Sequence, residues 1–167
     1  MFGSHTHQIL RPDRSRSSRL MHRLALAAAG VVAVDQATKA LAPLTHNGAV
    51  LPMRNRDLLL GVVGGNRVWL ALLMAALLVG FGRHLIARVR TGTLPPVVGG
   101  LLVGGGLANL VDRAVLGSVR DFIVIGHAVV VNVADLAVAL GLVLYACANL
   151  AAARQKRTSA AVVGTAD

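Results

Sequence analysis

The 167-residue sequence has no glutamate, a single cysteine, one tryptophan and one tyrosine. One thiol excludes an internal disulfide and any metal cluster built on several cysteines. Cys147 lies in an apolar run, where a small packed hydrophobe is the expected role. Charge is scarce too, at 14% of residues, against about 25% in soluble domains. That is too little to cover a water-facing surface. Aromatics make up 3% of the chain, so its formal net charge of +10 lacks the interleaved rings of a nucleic-acid-binding face. The basic residues stand instead at the ends of apolar runs, as topology signals do. Nucleic acid is therefore not an expected partner.

Metal and nucleophile chemistry lack their patterns as well. His5, His7 and His22 lie in the N-terminal region, and His46, His84 and His127 are isolated. No HExxH or similar ligand spacing occurs, so no metal is expected. Ser118 has no His–Asp arrangement around it, and Gly104-Gly105-Gly106 lacks the strand and lysine of a phosphate loop. No organic cofactor is expected either.

What the chain does have is apolar length: 55% hydrophobic residues and a mean hydropathy of +0.66. Four segments, about 24–44, 68–86, 94–111 and 133–153, are long enough to span a bilayer, which takes about 20 residues. Backbone groups in lipid must be satisfied internally, so these are helices. The first contains Asp35 and Lys39 and no clear small-residue cleavage site, so it reads as a retained helix and not a removable signal. The expected organisation is a basic tail over 1–23, a membrane domain over 24–153 and a second tail over 154–167. Both tails are rich in Ser, Thr, Arg and small residues and are expected to be disordered.

Orientation follows from Lys and Arg. Arg11, Arg14, Arg16, Arg19 and Arg23 precede the first helix, Arg83, Arg88 and Arg90 follow the second, and Arg154, Lys156 and Arg157 follow the fourth. With four helices these clusters share one side, which places both termini in the cytoplasm. The connections at about 45–67 and 114–131 then face outward. In the third helix, Gly100 and Gly104 form a small-xxx-small pair suited to close helix packing.

All seven acids are aspartates; Asp13 and Asp167 belong to the tails. Ionisable groups at membrane depth need a partner or a task. Asp35 and Lys39 are four apart with the acid first, a spacing that suits an ion pair fixing helix depth. Asn109 and Asp112 share a face of the third helix. Asp112 acts either as a catalytic acid or as an anchor for the outer loop through Arg113 and backbone amides, and the adjacent arginine favours the anchor. Asn132 is a good N-cap for the fourth helix and puts Asp135 at N3. Asp121 lies in the last outer loop, flanked by Phe122, Ile123, Val124 and Ile125. Two carboxyls in unlike surroundings are what a water-activating acid/base pair requires. Spacing alone leaves the alternative open: a capping acid and a solvated loop acid.

In order along the chain, these residues resemble the lipoprotein signal peptidase family, signal peptidase II. The resemblance runs from about Val34 to Gly141. It rests on Asp35-Gln36-x-x-Lys39, on GGGLANLVDR with Asn109, Asp112 and Arg113, on GSVRDFI with Gly117, Val119, Asp121 and Phe122, and on Asn132-x-Ala134-Asp135. It implies an all-α membrane aspartyl protease of four helices, with a small extracytoplasmic loop or β region after the first. The substrate implied is a prolipoprotein, cut before a cysteine that carries diacylglycerol, with membrane lipid beside it. The dyad implied is Asp121 and Asp135, supported by Asn109, Asp112, Arg113, Asn132, Asp35, Lys39 and Asn55, in a multi-pass protein of the bacterial inner membrane. Two departures concern the outer segments. The pattern N-x-G-x-x-F is here Asn55-Arg56-Asp57-Leu58-Leu59-Leu60, and Val131 stands where an aromatic is common. An inactive lipoprotein-binding paralogue, or a membrane protein that handles protons or ions, is the alternative.

Overall fold

In the computed structural model, which describes residues 14–45, 49–56, 66–126 and 129–163, the apolar segments form four helices. These are α1 (Arg14–Leu41), α2 (Arg67–Arg90), α3 (Pro96–Leu116) and α4 (Val133–Val163). A 3-10 turn, Ala42–Leu44, extends α1. All four helices are long and apolar enough to cross a membrane. The stretches 14–23 and 154–163 are helical, contrary to the expectation of disordered tails. Neither contains Gly or Pro, so nothing in them stops a helix that the apolar span has already nucleated.

Three strands, β1 (Val50–Asn55), β2 (Val119–Ile125) and β3 (Val129–Val131), form an antiparallel sheet in the order β1-β2-β3. A β region after the first helix was expected, but it supplies only β1. The other two strands come from the segment read as a loop between the third and fourth helices. Their β-branched run of Val119, Ile123, Val124, Ile125 and Val129 to Val131 suits a half-buried pleated surface. Val131, one of the two departures, is buried and pairs with Ile123. Asp57 and Leu60 lie outside the described residues.

α3 is the central helix. A Cβ on Gly104 would stand 2.7 Å from the Ala28 carbonyl oxygen, and one on Gly105 would stand 2.6 Å from that of Ala134. Glycine thus lets the α1 and α4 backbones close on α3 from two sides, and Gly100 likewise meets Ala27. α2 and α4 present exposed apolar side chains outward, among them Leu72, Leu77, Val79, Leu140, Val143 and Leu150. Cys147 is exposed on this surface and not packed, since the neighbouring turns of α4 turn the same stripe away from α3. The apolar core, Leu24, Leu85, Val89, Leu94, Val98 and Leu102, fills the half of the bundle nearer the α2–α3 connection. Towards the sheet the interior becomes polar. There Gly117, at φ 68°, ends α3 in a left-handed turn and lets the chain reverse into β2.

Candidate active site

The polar half is built around the first turn of α4. Asn132 caps it: its Oδ1 accepts from the Asp135 amide at 2.9 Å. The Asp135 Oδ2 returns the contact, accepting from the Asn132 amide at 3.2 Å. This is a reciprocal capping box with aspartate at N3, as the spacing predicted. Because Oδ1 is committed to an N–H donor, the amide nitrogen of Asn132 must face the other way. It donates to Asp121 Oδ1 at 2.6 Å. One asparagine therefore joins the two aspartates, and it is completely buried.

The other side of Asp135 is held by α3. Lys39 donates to Asn109 Oδ1 at 3.1 Å. A lysine has no acceptor, so this contact fixes the amide orientation. The Asn109 Nδ2 then donates to Asp135 Oδ1 at 2.7 Å. Both oxygens of Asp135 are thereby acceptors. Asp35 also reaches α4, its Oδ1 accepting from the Ala134 amide at 2.9 Å. A carboxylate from α1 thus meets an orphan N–H and the positive end of the helix dipole.

The pair expected between Asp35 and Lys39 forms, at 2.7 Å, with both side chains fully buried. It does more than set helix depth, because Lys39 is also 3.3 Å from Asp112. The anchor expected for Asp112 forms in one part, its Oδ2 accepting from the Arg120 backbone amide at 3.0 Å, while its charged partner is a different arginine from the one expected. Arg113 donates instead to the Arg56 carbonyl at 3.1 Å. Asp112 is held by Arg120, through Nη2 to Oδ1 at 2.7 Å and Nε to Oδ2 at 3.2 Å. Consecutive residues on a helix point about 100° apart, so Arg113 faces away from its neighbour, while the Gly117 turn brings β2 back over Asp112. Hydrogen bonding to Asp112 holds the Arg120 guanidinium above its usual range. Gln36 adds a donor to Asp112 Oδ1 at 3.2 Å and accepts from Arg120 at 2.6 Å.

β1 places Asn55 opposite Val119, two residues beyond the pairing of Met53 with Asp121. None of the hydrogen bonds just described to Asp121 or Asp135 comes from it. Arg120 is a residue the sequence reading missed, and Gln36 was quoted there only as part of a motif. Arg120 adjoins Asp121, which hides its reach. Successive strand side chains point to opposite faces, so the two neighbours meet different helices. A cleft of about 180 Å³ opens beside Asp121, bordered by Lys39, Pro43, Met53, Arg54 and Arg120.

Four helices long and apolar enough to cross a membrane thus gather two linked aspartates at one end. The chain is a member of the signal peptidase II family, whose model matches residues 27–151. It is 29% identical over 132 residues to the lipoprotein signal peptidase of Brevibacillus brevis, covering 70% of this chain and 87% of that protein. Identity to the lipoprotein signal peptidase of Bacillus subtilis is 28% over 132 residues, with coverages of 68% and 84%. Two solved bacterial membrane enzymes share the fold. One gives a TM-score of 0.68 at 24% identity, covering 81% of this chain and 92% of that one. The other gives 0.62 at 25% identity, with coverages of 78% and 94%.

Proposed function

We propose that Asp121 and Asp135 activate water to hydrolyse prolipoproteins on the N-terminal side of a diacylglyceryl-modified cysteine. The observation that carries this reading is the double commitment of Asn132, which caps Asp135 with Oδ1 and donates to Asp121 with Nδ2. A capping acid and an unrelated loop acid would need no such link. One carboxylate removes a proton from water as it attacks the scissile carbonyl, and the other protonates the carbonyl oxygen. The proton then passes to the leaving amine as the C–N bond breaks. Lys39, Asn109, Asp35, Asp112, Arg113 and Asn55 support the site without touching the scissile bond.

Depth supports the same reading. The dyad stands at the sheet end of the bundle, where a peptide bond just outside the hydrocarbon can enter while diacyl chains stay in lipid. The arginines of the α2–α3 connection and of the α4 end lie at the opposite end, so both termini face the cytoplasm and the sheet faces out.

The test is a gel-shift assay on a diacylglyceryl-modified prolipoprotein with purified wild type, Asp121→Asn and Asp135→Asn. Wild type is expected to release the signal peptide, and each variant to be slower by about 10³-fold or more. Full activity in either variant removes the dyad. A folded wild type that left several modified substrates uncut would favour the binding or ion-handling alternative.

A further inference from the structure

We infer that Arg120 is a positioning residue for Asp121, an inference that rests on the dyad proposed above. Arg120 is tied down through its backbone as well as its side chain. Its amide donates to Asp112 Oδ2 at 3.0 Å, and its Nε reaches the same oxygen at 3.2 Å. Its Nη2 spans Asp112 Oδ1 at 2.7 Å and Gln36 Oε1 at 2.6 Å. One residue of β2 is thus fastened to α3 and α1 together, in the fork geometry that only a guanidinium provides.

The next residue is Asp121. Its side chain leaves the opposite face of the strand and meets Asn132 at the foot of α4. Any slip of β2 along α3 would move Asp121 relative to Asp135, which α3 and α4 hold independently of the strand. The pairing of β1 with β2 is regular from Asn55–Val119 through Arg54–Arg120 to Met53–Asp121 and irregular from there to Val50, so Asp121 stands at the end of the regular ladder. The Arg120 clamp ties that end of the ladder to α3 and α1. Charge reinforces the clamp. Asp35 and Asp112 balance Lys39 and Arg120, so the network is neutral as a whole and leaves the amides of Asn109 and Asn132 to face the dyad.

The Arg120 side chain keeps 30% of its surface exposed and borders the cleft. Direct contact with substrate is therefore the rival role, and it predicts a different kinetic signature. Steady-state cleavage of a diacylglyceryl-modified prolipoprotein is measured with the full chain in detergent: wild type, Asp135→Asn, Arg120→Ala and Arg120→Lys. A positioning role lowers kcat of Arg120→Ala by about 10²-fold, with KM within about twofold of wild type. Arg120→Lys recovers only part of kcat, since an ammonium cannot bridge both carboxylate oxygens. The loss persists well below the thermal unfolding midpoint of each variant, where a role in stability alone would leave kcat intact. Should Arg120→Ala not fold, Arg120→Lys decides, with a reduced kcat at unchanged KM expected. Wild-type kcat in the folded variants, or a loss confined to KM, overturns the positioning role while leaving the dyad in place. An active Asp135→Asn, or an inactive wild type, overturns the dyad and the positioning role with it.

Discussion

The amide of Asn132 divides its two ends between two aspartates, so replacing it removes two interactions of different kinds. The Oδ1 end is a helix cap, worth about 0.5–2 kcal/mol when lost to alanine. The Nδ2 end orients Asp121 at 2.6 Å, and a catalytic group displaced by about 1 Å costs about 10²-fold in rate. Asn132→Ala should therefore lower the thermal midpoint and cut turnover by about 10²-fold. Serine separates the two. Its hydroxyl caps well but is too short to reach Asp121, so Asn132→Ser should regain the midpoint and stay slow. Parallel melting and cleavage measurements on both variants check this, and a serine variant with wild-type turnover would show that the Asp121 bond is dispensable. Much of this residue-scale arrangement was legible in the sequence. Asn132 and Asp135 read as N-cap and N3 because capping is local, and so did the Asp35–Lys39 spacing. The Asp112–Arg120 clamp was not, because it depends on where the Gly117 turn sends the next strand. Periodicity places residues on faces; it does not say which face of a later element folds onto them.

At the scale of elements, the position of Asp135 depends on how closely α4 approaches α3. The four apolar runs gave the helices, and Gly100 and Gly104 were legible as a packing face. Gly105 was seen only as part of a glycine run, yet its missing side chain admits the α4 first turn. A Cβ there would meet the Ala134 carbonyl oxygen at 2.6 Å and Val138 Cγ2 at 2.7 Å. Since Ala134 immediately precedes Asp135, relief of that clash moves the turn that carries the proposed dyad residue. Gly105→Ala should cost about 1–3 kcal/mol through overpacking and reduce cleavage by at least about tenfold. Gly80 is the control, because a Cβ there meets nothing within 4 Å. Gly80→Ala in α2 should be neutral or stabilising by up to about 1 kcal/mol, from helix propensity alone. Equal behaviour of the two variants in melting and cleavage would show that the α3–α4 approach does not set the site. The β2–β3 hairpin was misread as a loop for a related reason. Its apolar run is short and lacks a clean alternation, so its strand character becomes evident only once β1 pairs with it.

The whole molecule is electrically lopsided. All four described aspartates, Asp35, Asp112, Asp121 and Asp135, lie in the half that carries the sheet. The opposite end carries Arg83, Arg88, Arg90, Arg154, Lys156 and Arg157 with no acid among the described residues. Arg88 is occupied there by Asn149 and lies over the Tyr145 ring, both uncharged. Translocating that end would carry its uncompensated cations across the membrane, whereas the arginine clamp at the sheet end is paired with a carboxylate. The positive-inside bias is the ground for the proposal that the sheet faces outward, the side on which an exported precursor would present its cleavage site. The lipid-facing Cys147 allows a direct test, since Cys147→Ser in an exposed position should leave the fold intact. In that background Met53→Cys, in β1 and half exposed, should react with a membrane-impermeant maleimide in intact spheroplasts. Arg157→Cys, at the far end of α4, should react only after the membrane is opened. The reverse pattern would place the cleft in the cytoplasm, where a precursor whose mature part has already crossed could not reach Asp121. An outward-facing peptidase would then be untenable even with every contact of the dyad intact.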